Sequence, residues 1–127
     1  MKLPTQILAL AETNSLEPAV FAEWCKSSGF SAIDAANNLA LEIARQYATG
    51  QLDYVFCDRV MNSLSIMVWS EEFFELSNRE TPQILDEVYL AFDAGEYVHS
   101  GDVPSDDSET KYTRPMVDKI LESKYVV

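Results

Sequence analysis

Residues 53–76, DYVFCDRVMNSLSIMVWSEEFFEL, decide the fold. Phe56, Val60, Leu64 and Met67 recur at i, i+4, i+8 and i+11, with Cys57, Met61 and Val68 beside them. That is one continuous apolar face at helical period. The spacing predicts a single helix from Asp53 to Leu76, placed at the centre of the molecule. Asp58, Arg59, Asn62, Ser63 and Ser65 share the opposite arc, and Val55, Ile66 and Trp69 fall among them. A helix with apolar residues on both sides needs neighbours on both sides. Other helices are therefore expected to cover part of its second side too.

The flanking sequence supplies those neighbours. Residues 4–12 bring Ile7, Leu8 and Leu10 to a short opening helix, and Ser15 is the expected cap of the next one, about 16–28, which buries Val20, Phe21, Trp24 and Cys25 before Gly29 ends it. Ser31 and Asp34 form S-x-x-D, a near-capping box, and open a helix that reaches Thr49. Its inner face is Ile33, Ala36, Leu39, Ala40, Ile43 and Tyr47, with Glu42 and Arg45 pairing outside and Gly50 as the terminal cap. Thr81-Pro82 reads as an N-cap followed by proline at the first helical position. From there Ile84, Leu85, Val88, Tyr89 and Phe92 face inward as far as Gly95, the expected left-handed cap. Residues 96–111 lose the pattern and read as a solvated acidic loop. Thr113 and Pro115 restart a last helix on Met116, Val117, Ile120 and Leu121, with Lys119 and Lys124 near its negative end. Tyr97-Val98 and Tyr125-Val126-Val127 are too short to found a sheet. The expectation is an all-α, single-domain antiparallel bundle of five or six helices spanning residues 1–127.

Composition bounds the function. A chain of 127 residues with 47% hydrophobic content buries roughly two thirds of its unfolded surface and folds without staples. Cys25 and Cys57 form no CxxC and sit on apolar faces, so both are expected as buried free thiols. The opening apolar run is short, entered at Pro4 and soon followed by Glu12, so a cleaved leader is not expected, and no stretch reaches the ~20 apolar residues of a membrane span, so a cytoplasmic location is expected. The net charge is −12, and residues 71–109 alone hold twelve acids and one base, Arg79. Nucleic acid is disfavoured as a ligand, because phosphate binding needs cations. Anionic lipid is disfavoured for the same reason. A basic protein partner is expected instead, met by Asp86, Glu87, Asp93, Glu96, Asp102, Asp106 and Asp107.

Catalytic patterns are weak. Asp93, Glu96, His99 and Asp102 recur every three residues, and Glu96-x-x-His99 has the spacing of di-iron bundles, which would suit a metal-assisted hydrolase. That site needs a second Glu-x-x-His, however, and the chain has one histidine. No nucleophile elbow, phosphate loop or dinucleotide fingerprint occurs. No enzyme activity, cofactor or obligatory metal is expected. The bland alternative is that the acidity serves only solubility.

The order A-x-G-x-L-D-Y-x-F-x-D from Ala48 to Asp58, the run Val88-Tyr89-Leu90-Ala91-Phe92-Asp93 and a closing apolar helix resemble small acidic colicin-type immunity proteins of bacteria and uncharacterised bacterial helical proteins. The resemblance covers about residues 31–123 and rests on helix pattern and acidity; the first thirty residues are unmatched. It implies an antiparallel bundle that binds a cognate toxin, often a nuclease, with acidic side chains standing in for the nucleic-acid substrate.

Overall fold

The computed structural model describes residues 2–103 and 105–125, and for Lys124 and Tyr125 the backbone alone. The expected position of the Lys124 side chain and the expectation for Val126-Val127 lie outside the described residues. The described chain is all helical: α1 (Thr5–Glu12), α2 (Pro18–Ser28), α3 (Ala32–Ala48), α4 (Tyr54–Val68), α5 (Glu71–Leu76), α6 (Gln83–Asp93) and α7 (Arg114–Tyr125). A 3-10 turn, Ala94–Glu96, extends α6, and a π-type turn, Glu109–Thr113, leads into α7.

Seven helices stand where five or six were expected, because the stretch 53–76 is two. Ser70 is extended (φ −77, ψ 155) and its Oγ accepts the Phe73 N–H at 3.2 Å, starting α5 afresh. Glu71 and Glu72 then lie in the first turn, where negative charge meets the positive helix end. Serine followed by two glutamates was the local signal for this break. The apolar period runs straight through it and hides it.

α4 shares the centre with α6. α6 lies against α3, α4 and α7, and its Leu85, Val88, Ala91 and Phe92 are fully buried. Alanines at 35, 36, 40 and 44 keep α3 thin along the core, so it is buried on most of its circumference, Leu41 and Glu42 included. Glu42 is therefore not the outer member of a surface pair. It is buried, Arg45 Nε donates to it at 2.9 Å and Gln46 Nε2 at 3.0 Å, and the Arg45 contact, outweighing desolvation, lowers its pKa. Tyr47, Tyr54 and Phe92 meet edge-on or tilted, with centroids 5.0–6.5 Å apart, and tie α3, α4 and α6 together. Phe21 joins α2 to α5 through Phe73, 5.9 Å away. Both cysteines are free and buried, and desolvation pushes the Cys25 thiol up to about 11 and that of Cys57 up to about 12. Neither is poised as a nucleophile.

Several ends differ from expectation in instructive ways. Asp53 caps α4 by accepting from Phe56 N–H at 2.8 Å, and Ser31 caps α3 through Asp34 N–H at 3.1 Å. α2 starts at Pro18 after an extended Glu17, and Ser15 bonds within its own turn instead of capping. The fixed φ of Pro18 sets that start. α6 begins one residue later than Thr81-Pro82 implied, with Pro82 itself at the cap position and no side-chain cap. Gly50 is left-handed (φ 80), as the end of α3 requires, whereas Gly95 is not a left-handed cap at all. A Cβ at Gly95 would meet the Thr113 hydroxyl and, at 2.8 Å, that of Tyr54. Glycine is there for close approach. The π-type turn precedes Pro115, which has no N–H to give the Lys111 carbonyl.

The second side of α4 is covered in part, as expected, but at its serines. Val55, Ile66 and Trp69 are covered by no neighbour and are 56%, 65% and 60% exposed, while Ser63 and Ser65 are the buried residues of that arc. Ser63 Oγ donates to Asn14 Oδ1 at 2.9 Å, which turns the α1–α2 connection inward over it.

Candidate acidic binding face

The seven acids expected to meet a partner divide into two groups. Asp102, Asp106 and Asp107 are fasteners of the loop. Asp102 has a side chain only 2% exposed and accepts from three directions: the His99 backbone N–H at 2.9 Å, the Tyr112 hydroxyl at 2.7 Å and the Lys111 ammonium. Lys111 and then Tyr112 hold its carboxyl down to about 2. Asp106 accepts from Val103 N–H at 3.0 Å and pairs with Lys111 at 3.2 Å; Asp107 accepts from Thr110 Oγ1 at 2.7 Å. Beneath them Tyr97, His99 and Tyr112 stack, with centroids 4.3 and 3.8 Å apart, and His99 Nε2–H donates to the Ala94 carbonyl at 2.7 Å. Residues 97–103 and 105–112 thus form a clasp closed over the end of α6, fastened by side chains where a merely solvated loop was expected.

Asp86, Asp93 and Glu96 form the second group, with Glu87 apart from them. Glu87 sits at the rim of a groove between α6 and α7, whose apolar floor is Leu90, Met116 and Ile120 and whose other rim is Lys119. Asp86 and Asp93 flank Tyr89 at i, i+3 and i+7 of α6. Glu96 follows at the helix end and accepts from Asn62 Nδ2 of α4 at 3.2 Å. Asp58 of α4 completes the cluster, its carboxyl within hydrogen-bonding reach of Glu96 and in the field of Asp93. Tyr89 lies among four carboxylates; burial, then Asp93, Glu96, Asp58 and Asp86, raise its pKa.

Asp58 is the residue under strain. Its Oδ1 is buried with no hydrogen-bond partner. Burial, then the hydrogen bond to Glu96 and the charges of Glu96 and Asp93, push its carboxyl up to about 7. A proton or an outside cation would give Oδ1 the partner it lacks. Among the described residues no ion pair reaches Asp58, Asp86, Glu87, Asp93 or Glu96. Of the cations near the chain's end, Lys111 is spent on Asp102 and Asp106, and Arg114 on Glu109 at 3.7 Å and over the Tyr47 ring, while Lys119 stands across the α6–α7 groove from Glu87.

The run Asp93, Glu96, His99 and Asp102 does not converge on a metal. Asp93 and Glu96 belong with Asp58, while His99 and Asp102 close the clasp. Among the described residues no group of three or more histidine, cysteine or acidic side chains is placed to hold an ion. The sequence puts Asp58 and Asn62 on the polar arc of α4 without showing that they meet Glu96, while Tyr89, expected inward, packs partly against the core. The available signal was an acid one step off the apolar seam of α4, beside Cys57 and Val60. No described helix is long and apolar enough to cross a membrane. No protein-family model, curated protein or solved structure matches the chain.

Proposed function

We propose that this chain is an acidic protein-binding module that inhibits a basic toxin, such as a nuclease, in the manner of an immunity protein, on an antiparallel helical scaffold and without catalysis of its own. The observation that carries this reading is the unpartnered, buried Oδ1 of Asp58 beside Glu96 and Asp93. A lysine or arginine from a partner supplies the missing donor and neutralises the cluster, and Tyr89 beside it offers a ring and a hydroxyl to the same cation. Acidity that served only solubility would leave each carboxylate hydrated. Here one is drawn out of water next to two others, at a cost in stability that binding relieves.

The test is capture of partners from the native host at low salt with the wild-type chain and with Asp58→Asn, Asp93→Asn and Glu96→Gln combined. The expected result is a cationic protein held by the first and lost by the second. Equal recovery of the same partners by both would overturn the assignment.

A further inference from the structure

The outward side of α4 carries Val55, Arg59, Asn62, Ile66 and Trp69 at i, i+4, i+7, i+11 and i+14, one straight line along the helix. Single exposed apolar residues carry no message, but three aligned on one helix face, one of them a tryptophan, do. Tryptophan and arginine are also the residues that most often dominate binding energy at protein interfaces. The line is continuous with the acidic face: Asn62 holds Glu96, and Asp58 is one turn from Val55 on the side toward α6. On its other side, between Glu12, Thr13 and Asn14 and the α4 residues Arg59, Ser63 and Ile66, lies a depression of ≈ 350 Å³.

We infer that this stripe is the apolar centre of the docking face and that its occupant is a cationic amphipathic helix of the protein partner. The inference rests on the proposed function, since it takes the partner to be basic. The stripe spans about 21 Å at 1.5 Å per residue, the length of a helix of about fourteen residues. The apolar ridge of such a helix lies along Val55, Ile66 and Trp69, with polar side chains of the helix over the polar depression beside Ile66, while lysines or arginines on its other flank reach Asp58, Asp93 and Glu96. Charge decides among occupants. A second copy would bring its own net −12 and the same acids against these, and an anionic lipid surface would be repelled likewise.

The experiment uses the full chain carrying Trp24→Phe, which leaves Trp69 as the only indole. Two synthetic helices about 18 residues long serve as probes, one of lysine, leucine and alanine and one in which serine replaces leucine at the same charge. The leucine helix is expected to bind roughly tenfold or more tighter, with a blue shift of Trp69 emission. Ile66→Ser should erase that preference, and Phe30→Ser, an exposed apolar residue off the stripe, should leave it unchanged. Circular dichroism confirms that each variant is folded. Equal binding of the two probes, or a preference that survives Ile66→Ser, removes the stripe from the interface and leaves the acidic reading standing. Failure of a folded chain to bind either probe at low salt overturns both.

Discussion

A carboxyl group held up to about 7 beside two other acids weakens the folded chain whenever it ionises. In the unfolded chain an aspartate titrates near ~3.9, so between that pH and about 7 the folded state binds the extra proton. Stability from this group is therefore greatest at low pH and falls as pH rises through that window. Asp58→Asn removes the titration. Its stability relative to the wild type should climb between pH 4 and pH 8 by about 1–3 kcal/mol, after allowance for solvent screening, in urea denaturation at several pH values. A difference that stays flat across that range would show Asp58 to be an ordinary surface acid. Gly95 makes a contrasting demand. The Tyr54 hydroxyl donates to the Phe92 carbonyl and that of Thr113 to the Ala91 carbonyl, each at 2.7 Å, so both are anchored where a new Cβ would have to go. Gly95→Ala should lower stability by about 1–3 kcal/mol in thermal unfolding, a packing cost with no left-handed strain in it.

At the scale of elements, what the sequence made legible was local. Ser31, Asp53, Gly29 and Gly50 mark helix ends because the bonds they make reach only three or four residues along the chain. Ser70 was obscured because Phe73 continues the apolar rhythm of α4, and a period records which side is apolar without recording where the axis turns. For the same reason the rhythm could not show how far α6 shares the centre with α4, which depends on where three other helices land. α4 is nonetheless a core element: Leu64 is fully buried, and Leu64→Ala should cost about 2–5 kcal/mol in denaturant unfolding. Loss of the cap in Ser70→Ala should cost about 1 kcal/mol and uncouple α5 from α4. The clasp depends on side chains nine or ten residues apart, beyond the reach of any local signal. Lys111 and Tyr112 depress the Asp102 carboxyl, so its contribution is present above the usual aspartate range and fades as pH falls towards about 2. Asp102→Ala should speed hydrogen exchange at the His99 amide, which it now accepts from, while amides within α3 keep their protection.

Across the whole molecule the charge could be counted but not apportioned, because counting cannot say that Lys111 lands on Asp102 and Asp106 while, among the described residues, no ion pair reaches Asp58, Asp93 or Glu96. That division separates two kinds of electrostatic attraction. A uniform acidic field draws any cation and is indifferent to which acids produce it, whereas a local face loses its hold when its own acids are removed. At about pH 8.5, above the raised Asp58 value of about 7, two variants with the same change in net charge tell them apart: Asp58→Asn, Asp93→Asn and Glu96→Gln on one hand, and Glu23→Gln, Glu75→Gln and Glu80→Gln, exposed acids on or next to other elements, on the other. Association with the lysine–leucine helix should slow about tenfold for the first triple at low salt, and its rate should become nearly independent of salt. The second triple should lose much less rate and keep the wild-type salt slope. If the two triples slow association equally, the field of the whole chain does the steering, and the cluster around Asp58 has no special part in it.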